Sequence, residues 1–192
     1  MRIVVVNHVS LDGVMQGPGR RDEDTRGGFS RGGWANAASD EVVIRAVGER
    51  MGGPDDGLLL GRRSYEDMLA AWNARGGRFG DGLNATPKYV VSSSAGTELE
   101  WPNSSLLHGD VPAAVAELKQ GEGRNLVIMG SGELIRSLIP HGLIDEYLLM
   151  IHPLVLGSGR RLFEGIGDIA ELELIDSSAT STGVILASYR PR

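Results

Sequence analysis

The sequence predicts an α/β domain with a mixed, mostly parallel central sheet, flanking helices and a C-terminal antiparallel hairpin. Three observations lead there. Apolar runs recur, nearly continuous at residues 2–9 and unbroken at 57–60 and 126–129, the pattern of strands buried on both faces. Segments with helical spacing stand between them, and alternation of strand and helix calls for a parallel sheet. After Pro140 the alternation stops, and residues 144–151, 170–176 and 183–189 follow as strands with no helix between them.

The first strand, with its Ile-Val-Val-Val run, reads as central. It leaves through Asp12-Gly13 into a glycine-rich, charged loop that reaches Trp34 and carries Phe29. A loop this long is a functional segment or a disordered one. Its two aromatics suit a pocket wall, and equally suit side chains that pin the loop to the core. Residues 36–51 have mostly helical spacing at Ala37, Val43, Ile44, Val47 and Met51, with Ser39 as an N-cap and Asp40 and Glu41 in the first turn. Residues 57–66 run from apolar strand through Gly61 into a helix that turns Tyr65, Met68 and Leu69 inward. Residues 75–86 read as a polar connection, 87–91 as a third strand ending in Ser92-Ser93-Ser94, and 105–107 as a short fourth. Asp110 and Pro112 open a helix over 111–120.

Leu126 to Met129 then stop at Gly130-Ser131-Gly132. A helix follows, with Leu134, Ile135, Leu138 and Ile139 on one face, Glu133 in its first turn and Pro140 at its end. Glycines let backbone approach a ligand closely, and free N–H groups at a helix start attract an anion. Read alone, this corner also suits an ordinary tight turn, because the third glycine of a dinucleotide fingerprint is missing. A second corner of the same kind, Gly61-Arg62-Arg63-Ser64, adds a guanidinium and a hydroxyl, and two such corners suggest a diphosphate. The hydroxyls of residues 92–94 suit a phosphate monoester or a solvated turn.

Composition sets the outer limits. A chain of 192 residues fits one domain over 1–192, able to bury roughly 70% of its unfolded surface. It has no cysteine, its four histidines lack metal-ligand spacing, and its net charge is −6. Disulfides, a metal centre and broad nucleic-acid binding are therefore not expected. No apolar run approaches bilayer length, and the expectation is a soluble, cytoplasmic protein.

Taken together, Ser10-Leu11-Asp12-Gly13, Gly61-Arg62-Arg63-Ser64-Tyr65-Glu66, Ser92-Ser93, Gly130-Ser131-Gly132, Asp145-Glu146, Pro153 and Leu156-Gly157-Ser158-Gly159 resemble the dihydrofolate reductase-like superfamily. The branch is the one that includes the reductase domain of bifunctional riboflavin biosynthesis proteins. The resemblance implies a three-layer dihydrofolate reductase-like fold and NADPH as cofactor, and together with the long apolar 144–151 strand it implies a homodimer. It implies that Gly61, Arg62, Ser64, Gly130, Ser131, Gly132 and Glu133 (through its amide) bracket the pyrophosphate, that Ser92 and Ser93 lie near the 2′-phosphate, and that Gln16 and Gly17 touch the nicotinamide.

The departures narrow the substrate. No deaminase-like zinc motif precedes the domain, so a riboflavin role is expected to be single-function. The 15–34 insertion replaces the folate enzyme's short loop, and its pocket acid has no counterpart, which argues against dihydrofolate. A hydride acceptor needs its electron-rich atom stabilised or protonated in a dry pocket. Asp12 and Asp40 are the candidate acids, with Phe29 and Trp34 as substrate-side walls; an apolar wall would raise such a carboxyl's pKa. Both aspartates also suit structural roles, in a turn and at a helix start. The expected activity is NADPH-dependent reduction of a small heterocyclic or carbonyl substrate, with nucleotide binding without turnover as the alternative.

Overall fold

A computed structural model describes residues 1–38 and 40–192. The Ser39 N-cap expectation lies outside the described residues. The strands are β1 (Arg2–Ser10), β2 (Gly57–Gly61), β3 (Lys88–Val91), β4 (Ser104–Leu107), β5 (Asn125–Met129), β6 (Glu146–His152), β7 (Leu172–Ala179) and β8 (Ile185–Pro191). The helices are α1 (Glu41–Met51), α2 (Arg62–Arg75), α3 (Arg78–Ala85), α4 (Val111–Gln120) and α5 (Gly132–Leu138). One eight-stranded sheet runs β4-β3-β2-β5-β1-β6-β8-β7. Its first six strands in that order are mutually parallel; β8 is antiparallel to both β6 and β7.

Alternation along β1 divides the core into two layers. Ile3, Val5 and Val9 face a cluster with Val115 of α4 and Leu134, Ile135 and Leu138 of α5. Val4 and Val6 face the other, with Val43 of α1, Tyr65 and Leu69 of α2 and Leu83 of α3. Successive strand residues point to opposite faces, so a strand apolar at every position needs a helix layer on each. Leu58, Leu59, Leu60, Leu126, Val127 and Ile128 are all 0% exposed, and each such side chain contributes about 1.5–3 kcal/mol by leaving water.

Three sequence expectations need correction. Residues 75–86 are not simply a connection, because α3 lies within them. Their glycines lower helix propensity, but Leu83 is buried and Phe79 packs on Trp72 with ring centroids 4.5 Å apart. The helix expected from residue 36 begins at Glu41, after a separate 3-10 turn at Asn36–Ala38, and Asp40 is its N-cap. Ile44, expected inward, is 65% exposed. The apolar 144–151 run, the sequence's basis for a dimer surface, is instead an internal strand between β1 and β8.

Candidate functional site

The chain winds outward through β2, β3 and β4, then returns to insert β5 between β2 and β1. The parallel strands all end at one edge, where open α/β sheets bind ligands. In order along that edge stand Ser92-Ser93 after β3, Gly61 to Ser64 after β2, Gly130 to Gly132 after β5, and the Asp12 turn after β1. Three strand spacings separate the ends of this row, roughly 14–15 Å.

The two glycine corners touch. Ser131, at the N-cap of α5, has φ 54° and ψ 42°, a left-handed conformation that costs a non-glycine residue about 1 kcal/mol or more. What holds it is its neighbour: the Ser131 N–H donates to Ser64 Oγ at 3.0 Å, and the Gly61 N–H donates to Ser131 Oγ at 3.0 Å. Behind them Asn7, 4% exposed, acts as a surrogate backbone. Its Nδ2 donates to the Gly130 carbonyl (3.1 Å) and its Oδ1 accepts the Gly130 N–H (2.7 Å), extending the ladder past its last backbone pair, Val6 with Met129.

The Ser131 and Gly61 amides are thus used within the protein. The amides of Arg62, Arg63 and Ser64 at the start of α2, and of Gly132 and Glu133 at the start of α5, stand in the first helical turn, where no i−4 carbonyl of the helix reaches them, and among the described residues no side chain caps either start; they serve as donors. Arg62 and Arg63 are exposed beside them, and Arg62 pairs with Glu66 at 2.9 Å. Glu133 brings a carboxylate to the same place, but Arg160 pairs with it at 2.5 Å and Arg26 lies 3.9 Å away. The Arg160 hydrogen bond holds the Glu133 carboxyl below its ordinary pKa, so its charge is permanent and offset. Ser92 is buried, its Oγ bonded to Thr97 Oγ1 and accepting the Ser94 N–H, which makes it a turn residue; Ser93 is exposed.

The insertion folds over the β1 end. Phe29, 6% exposed, packs with Val14 and Leu156 in a small satellite core, with Trp34 and Leu154 at its margin. Phe29 therefore pins the loop. Gln16 is fully committed: Nε2 donates to the carbonyls of Asp24 and Arg26, Oε1 accepts the Arg160 N–H, and its own carbonyl accepts Trp34 Nε1 at 2.8 Å. The Gly17 carbonyl accepts the Gly33 N–H. Arg20 reaches Asp67 on α2 at 2.5 Å, tying the insertion to the helix that starts at the Gly61 corner. Met15 lies against Gly132 so closely that a Cβ there would stand 2.6 Å from its Sδ.

Neither candidate acid has the raised pKa that an apolar wall would give. Asp12 accepts from Ser10 Oγ (2.7 Å), Leu156 N (3.0 Å) and Gly157 N (2.9 Å), and Ser10's hydroxyl above all holds its carboxyl far below the usual range. Asp40 caps α1 through the Val42 and Val43 amides and accepts from Ser181 Oγ, with the Val43 bond the main reason its pKa is lowered. Both stay ionised and hold backbone. Asp12 binds its proton more weakly folded than unfolded, so its contribution is complete above the unfolded pKa and is lost as pH falls through the folded one. Asp12→Asn is expected to lower the melting temperature at pH 7 and to flatten the acid limb of a stability-against-pH curve below about pH 4; an unchanged acid limb would remove Asp12 from this role.

Four residues at this edge had no site role in the sequence reading. Asn7 stands alone in an apolar strand and its partner is 123 residues away. Arg160 neutralises Glu133. His8 and His152 lie against each other at the ends of β1 and β6. Only a polar residue interrupting a buried strand hinted at Asn7 and His8. A cavity of about 370 Å³ lined by Tyr65, Glu66, Glu98, Leu99, Glu100 and Trp101 adjoins α2, and one of about 340 Å³ lies at the opposite sheet edge beside Arg2, Arg124 and Glu146. The glycine corners line neither, so the site rests on its donors.

Comparison with known proteins gives the family. Residues 2–186 match the family described as RibD C-terminal domain. The chain belongs to the RibD C-terminal domain family. Uncharacterized protein YyaP of Bacillus subtilis is 32% identical over 108 residues, 56% of this chain and 56% of YyaP, so the match spans just over half of that relative. A solved structure assigned to riboflavin biosynthesis, from Shewanella sp. PV-4, superposes with TM-score 0.74 at 22% identity, covering 100% of this chain and 99% of the other. Dihydrofolate reductase from Enterococcus faecalis, solved with NADP(H), gives 0.63 at 15% identity, with 100% and 96% covered. These likenesses establish a dihydrofolate reductase-like fold for this RibD C-terminal domain. Among the described residues, no group of histidine and carboxylate side chains could hold a metal ion, and no helix is long and apolar enough to cross a membrane.

Proposed function

We propose that this RibD C-terminal domain is an NADPH-dependent reductase of a small heterocyclic or carbonyl substrate, working in the cytoplasm as a homodimer. The observation that carries the reading is the locked pair of corners, Gly61 to Ser64 and Gly130 to Gly132, with free helix amides on one edge. The donors suit a diphosphate: unpaired amides, two exposed guanidinium groups, and a glycine at 132 where a Cβ would collide with Met15. NADPH would supply the hydride. The amides of Arg62, Ser64, Gly132 and Glu133 would hold its pyrophosphate, with Gly61, Gly130 and Ser131 shaping the corners that present them, and Ser93, on the turn that Ser92 fixes, would stand toward the 2′-phosphate. Gln16 and Gly17 would act by fixing the insertion above the nicotinamide end, with Trp34 screening that end from water.

Titration of the full chain with NADPH and with NADH, followed by nicotinamide fluorescence, tests the cofactor. Tighter binding of NADPH supports the reading; no binding, or a preference for NADH, contradicts it. Arg62 is exposed and bonded only to Glu66, so Arg62→Ala is expected to weaken NADPH about 10-fold, equivalent to about 1.4 kcal/mol, with little change in melting temperature. Unchanged affinity would remove Arg62 from the site. Nucleotide binding without turnover is the second reading, favoured by the permanent ionisation of Asp12 and Asp40. NADPH binding with no oxidation across pterins, flavin precursors and simple carbonyls would support it.

The dimer surface we propose is β7, whose Leu174 and Ile175 are each 51% exposed at the sheet edge. Sedimentation at micromolar concentration is expected to show a dimer that Leu174→Asp with Ile175→Asp converts to monomer; a monomeric parent would contradict it.

A further inference from the structure

Among the described residues, one buried side-chain nitrogen or oxygen has no hydrogen-bond partner, and it is Nδ1 of His152. His152 is 1% exposed. Its other ring nitrogen, Nε2, lies 2.9 Å from Nδ1 of His8 across the β1–β6 pair, where Ser10 stands opposite His152. Trp34 stands perpendicular to the His152 ring with centroids 5.2 Å apart, and its Nε1 is tied to Gln16. The insertion thus rests on the inner histidine, while His8, the outer one, stays partly exposed at the ligand edge. His8 follows Asn7, the residue that fixes the Gly130 corner.

An orphaned buried polar nitrogen is destabilising, and an apolar pair would fill this space without that penalty. Burial first, and His152 second, depress the His8 pKa to about 4; burial also lowers that of His152. Both rings are therefore neutral near pH 7 and share one hydrogen bond. Which ring donates is ordinarily fixed by a second partner on the inner ring, and here there is none. Two uncharged arrangements follow. With His8 Nδ1–H donating, His8 Nε2 is left as an acceptor; with His152 Nε2–H donating, His8 Nε2 carries the hydrogen and is a donor.

We propose that His8 Nε2 is a ligand contact whose polarity the ligand selects, that His152 is its positioning residue, and that the group it meets is an uncharged amide or lactam edge. The proposal rests on the reading of this edge as a nucleotide and substrate site. An amide presents both an N–H and a carbonyl, and a neutral pair with one unfixed hydrogen can match either. A carboxylate or phosphate offers acceptors alone, so it would use only one of the two arrangements, and it pairs best with a charged imidazole in a place that disfavours one. Anions are better served by the corners, where Arg62 and Arg63 stand. The amide has two sources, the carboxamide of NADPH or a lactam of the substrate.

Two-bond ¹H–¹⁵N spectra of the full chain labelled in histidine test this, with NADPH and 2-pyridone as separate probes. Without ligand, both nitrogens of His8 should resonate at shifts averaged between tautomers at pH 7. Addition of NADPH collapsing His8 to one tautomer identifies the carboxamide; collapse with 2-pyridone, but not with N-methyl-2-pyridone, identifies a lactam. His8→Phe should weaken the active probe at least 10-fold. His152→Phe should abolish the averaging, and His152→Gln, which both donates and accepts, should restore the response, with circular dichroism confirming that both variants fold. A single fixed His8 tautomer without ligand, or no response to either probe, overturns the proposal. If fluorescence shows no NADPH binding, the cofactor reading fails by itself and the 2-pyridone arm still decides the role of His8.

Discussion

Replacing Gly130 with valine is expected to abolish NADPH binding and to lower unfolding stability by about 3 kcal/mol. Gly130 has φ 62°, and a β-branched residue in the left-handed region costs about 1–2 kcal/mol. A Cβ there would stand 3.1 Å from Ser64 Oγ, so the hydroxyl must move and the Ser131 N–H loses its acceptor, adding about 1–3 kcal/mol. Urea denaturation should show a lower midpoint at unchanged slope. Gly130→Ala, with the smaller side chain, should fall between valine and the parent in both affinity and midpoint. Parental affinity in the valine variant would mean that the corner does not hold the phosphates.

Asn7→Leu is the second large effect, with an expected loss of about 2–4 kcal/mol. The substitution keeps volume in a buried strand but removes both bonds to Gly130, leaving that residue's N–H and carbonyl without their partner. The corner then loses its anchor to β1, so NADPH affinity should fall as well. Asn7→Asp separates the two bonds, since a carboxylate accepts the Gly130 N–H but cannot donate to its carbonyl. It should be nearly as destabilised as Asn7→Leu near pH 7. A loss below about 0.5 kcal/mol for Asn7→Leu would show that water replaces the amide and that Asn7 is not the anchor.

Much of the fold was legible because its signals are local. The β-branched run of β1, the leucines of β2 and the apolar stretch of β5 each require two helix layers, and the glycine after each of the last two strands marks where a helix must begin. The same logic brought the corners to one edge, since parallel strands end together. The α3 helix was hidden because Gly80 and Gly82 suppress its propensity, while Leu83 and the Trp72–Phe79 contact, which stabilise it, are tertiary. An apolar strand reads the same whether a neighbouring strand of the same chain or a second chain covers it, so the 144–151 run by itself says nothing of a dimer; within the chain β1 and β8 flank it.

Site details beyond the corners depend on long-range partners. Asp12 looked like an acid at a strand end, and its ionisation is fixed by backbone N–H groups 144 and 145 residues away. The His8–His152 contact spans 144 residues, and each histidine alone resembled a satisfied core residue. Gln16 fell in the segment matched to the nicotinamide loop and Phe29 was a candidate substrate-side wall, but their side chains are spent holding the insertion together. What the insertion presents to a ligand is therefore its backbone and Trp34, beside His8 on β1.

The central claim is that neighbouring sheet-to-helix corners donate their free amides to one diphosphate. Amide chemical shifts of the ¹⁵N-labelled chain during NADPH titration test it most directly. The account predicts that Arg62, Arg63, Gly132 and Glu133 shift together, following a single dissociation constant. Shifts confined to the opposite edge at Arg2, Arg124 and Glu146, or separate saturation of the two corners, would contradict it.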